Sequence, residues 1–262
     1  MQFQLATGGF FVFLFAMVRA SAWLAFVPPF ASSFVPLVVR TGLAVALALA
    51  VTSQLGGANS ALGNSLSALG PAAFISLLVA QVVIGALMGF VTSLLLSAVS
   101  SAGGLIDMTS GLSASTAFDP LSSTSNPVTA RTYNVLMTTL VFATGGDLLI
   151  VKGFLTSFQA VGLSTKSVHL IGPALVSETG FFFLATVEIA APVLGCMFLA
   201  YVALGLLTRS APQLNIMSLG FGVNISLALV VAAASLPLLP GAVSTLVERS
   251  VSDTLGLMGI RV

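Results

Sequence analysis

The 66 residues between Arg40 and Asp107 carry no charged side chain, and neither do the 38 between Arg209 and Glu248. A bilayer core about 30 Å thick is crossed by roughly 20 apolar residues in helical form. Each stretch is therefore long enough to hold at least one crossing. Composition agrees with this. Of 262 residues, 57% are hydrophobic and 6% are charged, the net charge is +1 and the mean hydropathy is +1.13. A soluble domain carries about 25% charge. These values exclude a disordered chain, a collagen, a nucleic-acid binder of the basic-patch kind and a soluble globular domain.

Hydrocarbon offers no partner to a free backbone N–H or C=O, so spanning segments are helices or closed barrels, and the short alternating runs of a barrel are absent. Apolar helices are expected at Phe10–Val27, Leu37–Val51, Pro71–Ser100, Thr132–Val151, Phe181–Leu207 and Leu214–Leu239. The expected fold is an all-α integral membrane protein of about six long apolar helices, arranged as hairpins, with bent or broken members. The lengths are uneven. Leu37–Val51 has 15 residues, about 23 Å of helix. Pro71–Ser100 has 30 residues and needs tilt or bending to fit. Hydropathy thus argues for burial from water more firmly than for a count of crossings.

Basic residues do not orient the chain. Arg40, Arg131 and Arg209 fall on one side, with Lys152, Lys166, Arg249 and Arg261 on the other. The start of the chain is not expected to be a cleaved signal. No Lys or Arg precedes its apolar run, and Arg19 sits before the small residues Ala20-Ser21-Ala22. Between the apolar runs, Gly56–Gly70 carries Leu62, Leu66 and Leu69 at helical spacing and is expected to hold a short amphipathic helix. Ser101–Arg131, rich in Ser, Thr and Gly, is expected to be the main loop, with Asp119-Pro120 and Asn126-Pro127 as turn markers. Lys152–Glu178 is expected to be a second loop.

Enzyme chemistry has no foothold in this sequence. His169 is the one histidine and Cys196 the one cysteine, so neither a disulfide framework nor a cysteine zinc site can form within one chain. Glu178 and Glu188 lie ten residues apart and do not share a helix face. No phosphate-binding loop, dinucleotide fingerprint or His-Glu metal motif is present. No catalytic site, cofactor or metal is expected. Arg19 and Glu188 are charges inside apolar runs. Facing lipid, each would cost several kcal/mol, so each is expected to be buried against protein, paired structurally (with each other or with another group) or lining a proton or ion path. Gly85 and Gly89 form a Gly-x-x-x-Gly pair, which lets helix backbones approach closely. Pro192 lacks an N–H and crowds the carbonyl of Glu188, so a kink is expected there. The run Gly205–Asn215 breaks two apolar helices and is expected to fold them into an antiparallel hairpin, with Gln213 and Asn215 at the start of the second.

Four stretches together resemble the FliR/SctT family, export-gate subunits of flagella and injectisomes. They are Arg19 with Pro28-Pro29-Phe30, Pro36 and Arg40; Gly85-Ala86-Leu87-Met88-Gly89-Phe90; Gly103-Gly104-Leu105-Ile106-Asp107 with Gly111-Leu112-Ser113 and Phe118-Asp119-Pro120; and Ala191-Pro192-Val193 followed by Gly205-Leu206-Leu207, Arg209 and Pro212-Gln213-Leu214-Asn215. The chain departs from the family's pattern at Gln81, where Glu is common, and at Asp147, where His is frequent. It also lacks a proline after Ser157-Phe158 and has Gly222 where relatives have proline. An amide at position 81 does not titrate.

The resemblance implies a structural subunit of the protein-conducting gate of the flagellar type III secretion apparatus, with no enzymatic activity and no cofactor. It implies a place in the bacterial inner membrane within the flagellar basal body, in contact with membrane lipid. The implied partners are FliP and FliQ, with FlhB and FlhA, and unfolded export substrates in transit; nucleic acid is not among them. Residues 1–175 would be a FliP-like half containing the loop 101–131, and 176–262 a FliQ-like hairpin and tail. Asp107, Met108, Gly111, Leu112, Ser113, Phe118, Asp119 and Pro120 would belong to a gate or plug loop. Gly85, Gly89, Pro192, Pro212, Gln213 and Asn215 would serve helix packing and assembly. The injectisome counterpart is the nearest alternative. A small ion-coupled transporter, with Arg19, Asp147 and Glu188 as coupling groups, is the other.

Overall fold

A computed structural model describes residues 2–28, 30–31, 35–54, 70–113, 127–161, 171–210 and 216–258. Among them there is no β-strand. Eight α-helices follow in order: α1 Gln2–Leu24, α2 Leu37–Gln54, α3 Pro71–Ser110, α4 Val128–Ala143, α5 Gly146–Val161, α6 Ile171–Ser210, α7 Ile216–Ser235 and α8 Leu239–Leu257. A short 3-10 turn, Leu236–Leu238, joins the last two. Five helical stretches are long and apolar enough to cross a membrane, or six when the bent pair α4–α5 counts as one. This is the all-α membrane architecture expected.

The chain divides into two compact units. The first comprises Met1–Leu94, Asp147–Glu178 and Val247–Val262, and the second Leu95–Gly146 and Thr179–Leu246. In the first, α1 buries Val12, Phe15, Ala16, Arg19, Ala20 and Trp23. Their spacing of three and four residues puts them on one face. α2 packs against α1 and buries the small side chains Ala44 and Ala48, which lets two backbones come close. In the second unit, Leu95, Val99, Ala102 and Ile106 of α3 are buried, as are Tyr133, Met137 and Val141 of α4 and Ala190, Val193 and Met197 of α6.

Four sequence expectations are corrected. The third helix does not end at Ser100 but at Ser110. Its polar residues bond back onto the helix: Ser100 Oγ donates to the Ser97 carbonyl at 2.9 Å and Thr109 Oγ1 to that of Leu105 at 2.9 Å. Their polarity therefore does not stop the helix. The run Thr132–Val151 is not one helix. It breaks after Ala143, where Gly145 has φ +71°, a conformation that glycine adopts at no steric cost. Lys152–Glu178 is not a loop throughout, because α5 continues to Val161 and α6 starts at Ile171. Gly153, which reads as a loop residue, is a contact point instead: a Cβ there would lie 2.8 Å from Val251 Cγ1. The tail after Leu239 is α8, burying Val243, Val247, Ser250 and Thr254 along one side. Within it, Arg249 Nε reaches Asp253 Oδ2 at 3.0 Å one turn away.

α6 runs through Pro192 as one helix of 40 residues. α6 and α7 are joined by five residues, and Leu204 meets Gly220, at 3.6 Å from a Cβ built there. The two therefore pack against each other as a hairpin. The amphipathic helix expected in Gly56–Gly70 lies, but for Gly70, outside the described residues.

Candidate functional site

The central segment is held at its neck by Asp107. Helix α4 begins after Pro127, which has no side-chain hydrogen-bonding group to cap it. The first N–H groups of a helix lack intrahelical partners. Asp107, from the last turn of α3, supplies them from 22 and 23 residues away. Its Oδ1 accepts from Thr129 N at 3.2 Å and its Oδ2 from Ala130 N at 3.0 Å. The carboxylate also meets the positive end of the helix dipole. Its main-chain carbonyl holds the other side of the neck, accepting from Ser113 N at 3.3 Å and Ser113 Oγ at 3.3 Å. One fully buried residue thus ties the point where the chain leaves α3 to the point where it enters α4.

Two further features narrow this neck. Gly103 faces α4 so closely that a Cβ would stand 2.7 Å from Ala130 Cα. Gly111 has φ +83°, and the ring of Phe221 on α7 lies 3.4 Å from where its Cβ would be. The Tyr201 hydroxyl of α6 donates to the Thr109 carbonyl. Ser110, Gly111, Tyr201, Gly205, Phe221 and Asn224 line a cavity of about 460 Å³. Asn224 Oδ1 is buried there without a hydrogen-bond partner among the described residues. Met108 is exposed beside the neck, while Leu112 and Ser113 are half-buried. Phe118, Asp119 and Pro120 lie outside the described residues.

A second buried polar cluster belongs to the first unit. Arg19 is fully buried. Its Nε donates to Gln81 Oε1 at 2.7 Å, Nη1 reaches Ser157 Oγ at 3.5 Å, and its guanidinium sits 4.1 Å from the Phe158 ring centroid. The amide carries no charge, so hydrogen bonds and a cation–π contact solvate the cation here. Gly85 and Gly89 make this possible. A Cβ on Gly85 would overlap the Arg19 carbonyl oxygen, and one on Gly89 would lie 2.7 Å from that of Trp23. The glycine pair is thus the contact face of α3 on α1.

The other expected residues are scattered. Asp147 stands in the first turn of α5, where an acid favours the helix dipole. Glu188, expected to be buried, is exposed in this chain at the edge of a second cavity, which Pro192 also lines. The helix carrying it has only 17% of its apolar window buried. Pro212, Gln213, Asn215 and His169 lie outside the described residues. Among those described, no three His, Cys, Asp or Glu side chains gather as metal ligands.

Sequence reasoning placed Gly103 and Asp107 in the loop, missing the close approach of the one and the capping role of the other, and did not single out Tyr201, Phe221 or Asn224. The available signal was an acid ending an otherwise uncharged run, paired with a helix start that lacks a capping residue.

The neck, the glycine face and the hairpin all sit within one family's extent. A family model described as bacterial export proteins, family 1, matches residues 10–250. The flagellar biosynthetic protein FliR of Escherichia coli (strain K12) is 29% identical over 229 residues, covering 87% of this chain and 85% of its own length. That of Bacillus subtilis (strain 168) is 25% identical over 255 residues, covering 95% and 96%. The surface presentation of antigens protein SpaR of Shigella flexneri is 26% identical over 149 residues, covering 57% and 58%. With the match running across nearly all of its helices, this chain belongs to the bacterial export proteins, family 1.

Proposed function

We propose that the chain is a structural, non-enzymatic subunit of the protein-conducting gate of the flagellar type III secretion apparatus. The observation that carries this reading is the family match along residues 10–250, with flagellar relatives aligned over 87% to 95% of the chain. The relative named for surface presentation of antigens aligns over 57%, so the flagellar role is favoured over the injectisome one. The subunit sits in the bacterial inner membrane at the basal body. It assembles with FliP and FliQ, in contact with FlhB and FlhA, and unfolded subunits pass through the finished gate. Residues 1–175 act as a FliP-like half and 176–262 as a FliQ-like hairpin.

Chemistry supports a gate at the central segment. Asp107, Gly111 and Ser113 fix its neck, while the segment itself is rich in Ser, Thr, Ala and Gly. Small, uncharged side chains repack around varied passing chains without a specific partner, and Met108 adds a flexible apolar contact. Phe118, Asp119 and Pro120 belong to the same plug. A neck that is fixed and a tip that adapts are what a gasket needs.

The test is native mass spectrometry of a tagged chain, co-expressed with FliP and FliQ and extracted in mild detergent. One copy within a larger mixed complex is the expected result. A stable monomer or homo-oligomer that ignores those partners would overturn the reading.

A further inference from the structure

Within the second unit, a cavity of about 360 Å³ opens beside Glu188, between α6 and the start of α8. Every polar side chain lining it is a hydrogen-bond acceptor. Ser235 Oγ already donates to the Ala232 carbonyl at 2.8 Å, and Thr245 Oγ1 to that of Gly241 at 2.9 Å. Both hydroxyls have only lone pairs left to offer. The Glu188 carboxylate has no hydrogen-bond or ion-pair partner among the described residues. Pro192 has no N–H, so the Glu188 carbonyl loses its helical donor as well. The first turn of α8 borders the same cavity, but the positive end of a helix offsets only about half a charge. The remaining lining includes Phe181, Ile189 and Leu238, which are apolar.

A site whose polar side chains only accept, with one carboxylate and apolar walls, fits a donor-only cation on an apolar stem. Lysine and arginine are such groups. This unit has two bases of its own, Arg131 and Arg209, and neither lines the cavity. Arg209 lies 21 residues along the same helix, about 31 Å away. No base among the described residues lines the cavity, which leaves the site open to a cation from another chain. Phe183, Leu184 and Val187 around Glu188 are all more than half exposed, so something apolar covers this face. The spanning helix Leu175–Ser210 has 36 residues, and Glu188 lies 13 from its nearer end. Glu188 thus lies well inside this apolar stretch, about 20 Å of helix from its nearer end. A side chain on a neighbouring apolar helix packed along α6 reaches a group so placed.

We propose that this cavity receives a lysine or arginine side chain from an apolar helix of a neighbouring, unlike subunit. The inference rests on the gate reading above. Its test uses the full chain co-expressed with FliP and FliQ, comparing wild type with Glu188→Gln, Glu188→Lys and Glu188→Asp. In the chain alone, protease resistance is expected to be equal for wild type and Glu188→Gln, because the carboxylate has no partner among the described residues. In the complex, incorporation is expected to fall by about tenfold or more for Glu188→Gln and further for Glu188→Lys, while Glu188→Asp retains most of it. Second-site revertants of Glu188→Lys should replace a lysine or arginine in another subunit. Equal incorporation of wild type, Glu188→Gln and Glu188→Lys would overturn the proposal and leave the gate reading intact. So would carbodiimide coupling of Glu188 to a phospholipid amine and not to a subunit. Failure of the wild-type chain to join the complex would instead overturn the gate reading itself.

Discussion

Two adjacent glycines in α3 face different surroundings, and that contrast makes a test at the level of single atoms. A Cβ on Gly103 would stand 2.7 Å from Ala130 Cα and 2.8 Å from the Thr129 carbonyl oxygen, while nothing lies within 4 Å of one on Gly104. Gly103→Ala must push α4 away from α3 and is expected to cost about 1–3 kcal/mol. Gly104→Ala is expected to be neutral or to gain up to about 1 kcal/mol from helix propensity. Thermal or SDS titration of the purified protein in detergent would separate them, and equal stabilities would count against the packing described. Asp107 is the second residue to test. Asp107→Ala removes both acceptors from the start of α4 and is expected to destabilise by about 2 kcal/mol. Asp107→Asn keeps one acceptor and is expected to lose about half as much. If the neck fixes the gate, Asp107→Ala assemblies should also leak small ions across a vesicle membrane. A tight, fully stable Asp107→Ala complex would remove Asp107 from the gate. Gly85 and Gly89 were legible as a close-packing pair from spacing alone. Their partner was not, because Arg19 and Trp23 lie more than 60 residues away in sequence and no local pattern links them.

At the scale of whole elements, uncharged apolar runs placed the long helices well and their ends poorly. The errors share a cause. Ser, Thr and Gly read as loop formers in a soluble chain, but in a membrane helix hydroxyls bond back to the preceding turn, as Thr156 Oγ1 does to the Lys152 carbonyl at 2.9 Å. Glycines there mark close contacts. The α4–α5 break was missed for a different reason: Thr144-Gly145-Gly146-Asp147 is so short an interruption that the apolar residues on either side read as one helix, whereas the positive φ of Gly145 shows that the chain turns there. Gly145→Ala forces a Cβ into that conformation and is expected to cost about 1–2 kcal/mol, read as a lower midpoint in the same titration; an unchanged midpoint would mean that the turn tolerates another geometry. The connection between α6 and α7 is five residues long, and Pro212 within it has no N–H to bond a carbonyl of the preceding turn, which disfavours continuing the helix from Ser210. Pro212→Leu is expected to lengthen α6 past its stop and lower the amount of chain incorporated into the mixed complex. An unchanged yield would show that the hairpin closes without it.

For the molecule as a whole, the decisive quantity is the apolar surface that the chain leaves uncovered. Only 17% of the α6 window and 22% of that from Gly220 to Gly256 is buried by the chain itself. Phe183, Phe198 and Leu199 on α6 and Val230 on α7 are each more than 60% exposed, apart from the less exposed residues between them. Composition foretold an apolar exterior, since a chain with 6% charge cannot make a polar one. It could not say whether lipid or protein covers that exterior, because hydrocarbon tails and leucine side chains are equally apolar and drive no sorting between them. What separates the two is specificity of contact. A photoreactive phenylalanine analogue at Phe198 samples whatever lies against the middle of this face. If the chain is a subunit of a mixed gate, irradiation in native membranes should give a protein adduct of one defined mass, and that adduct should vanish when the partner subunits are not co-expressed. The same probe at Leu148, an exposed residue at the start of α5, maps whether the first unit is covered by protein as well. Lipid adducts alone at Phe198 would mean that the bilayer, and not a partner subunit, covers this face of α6.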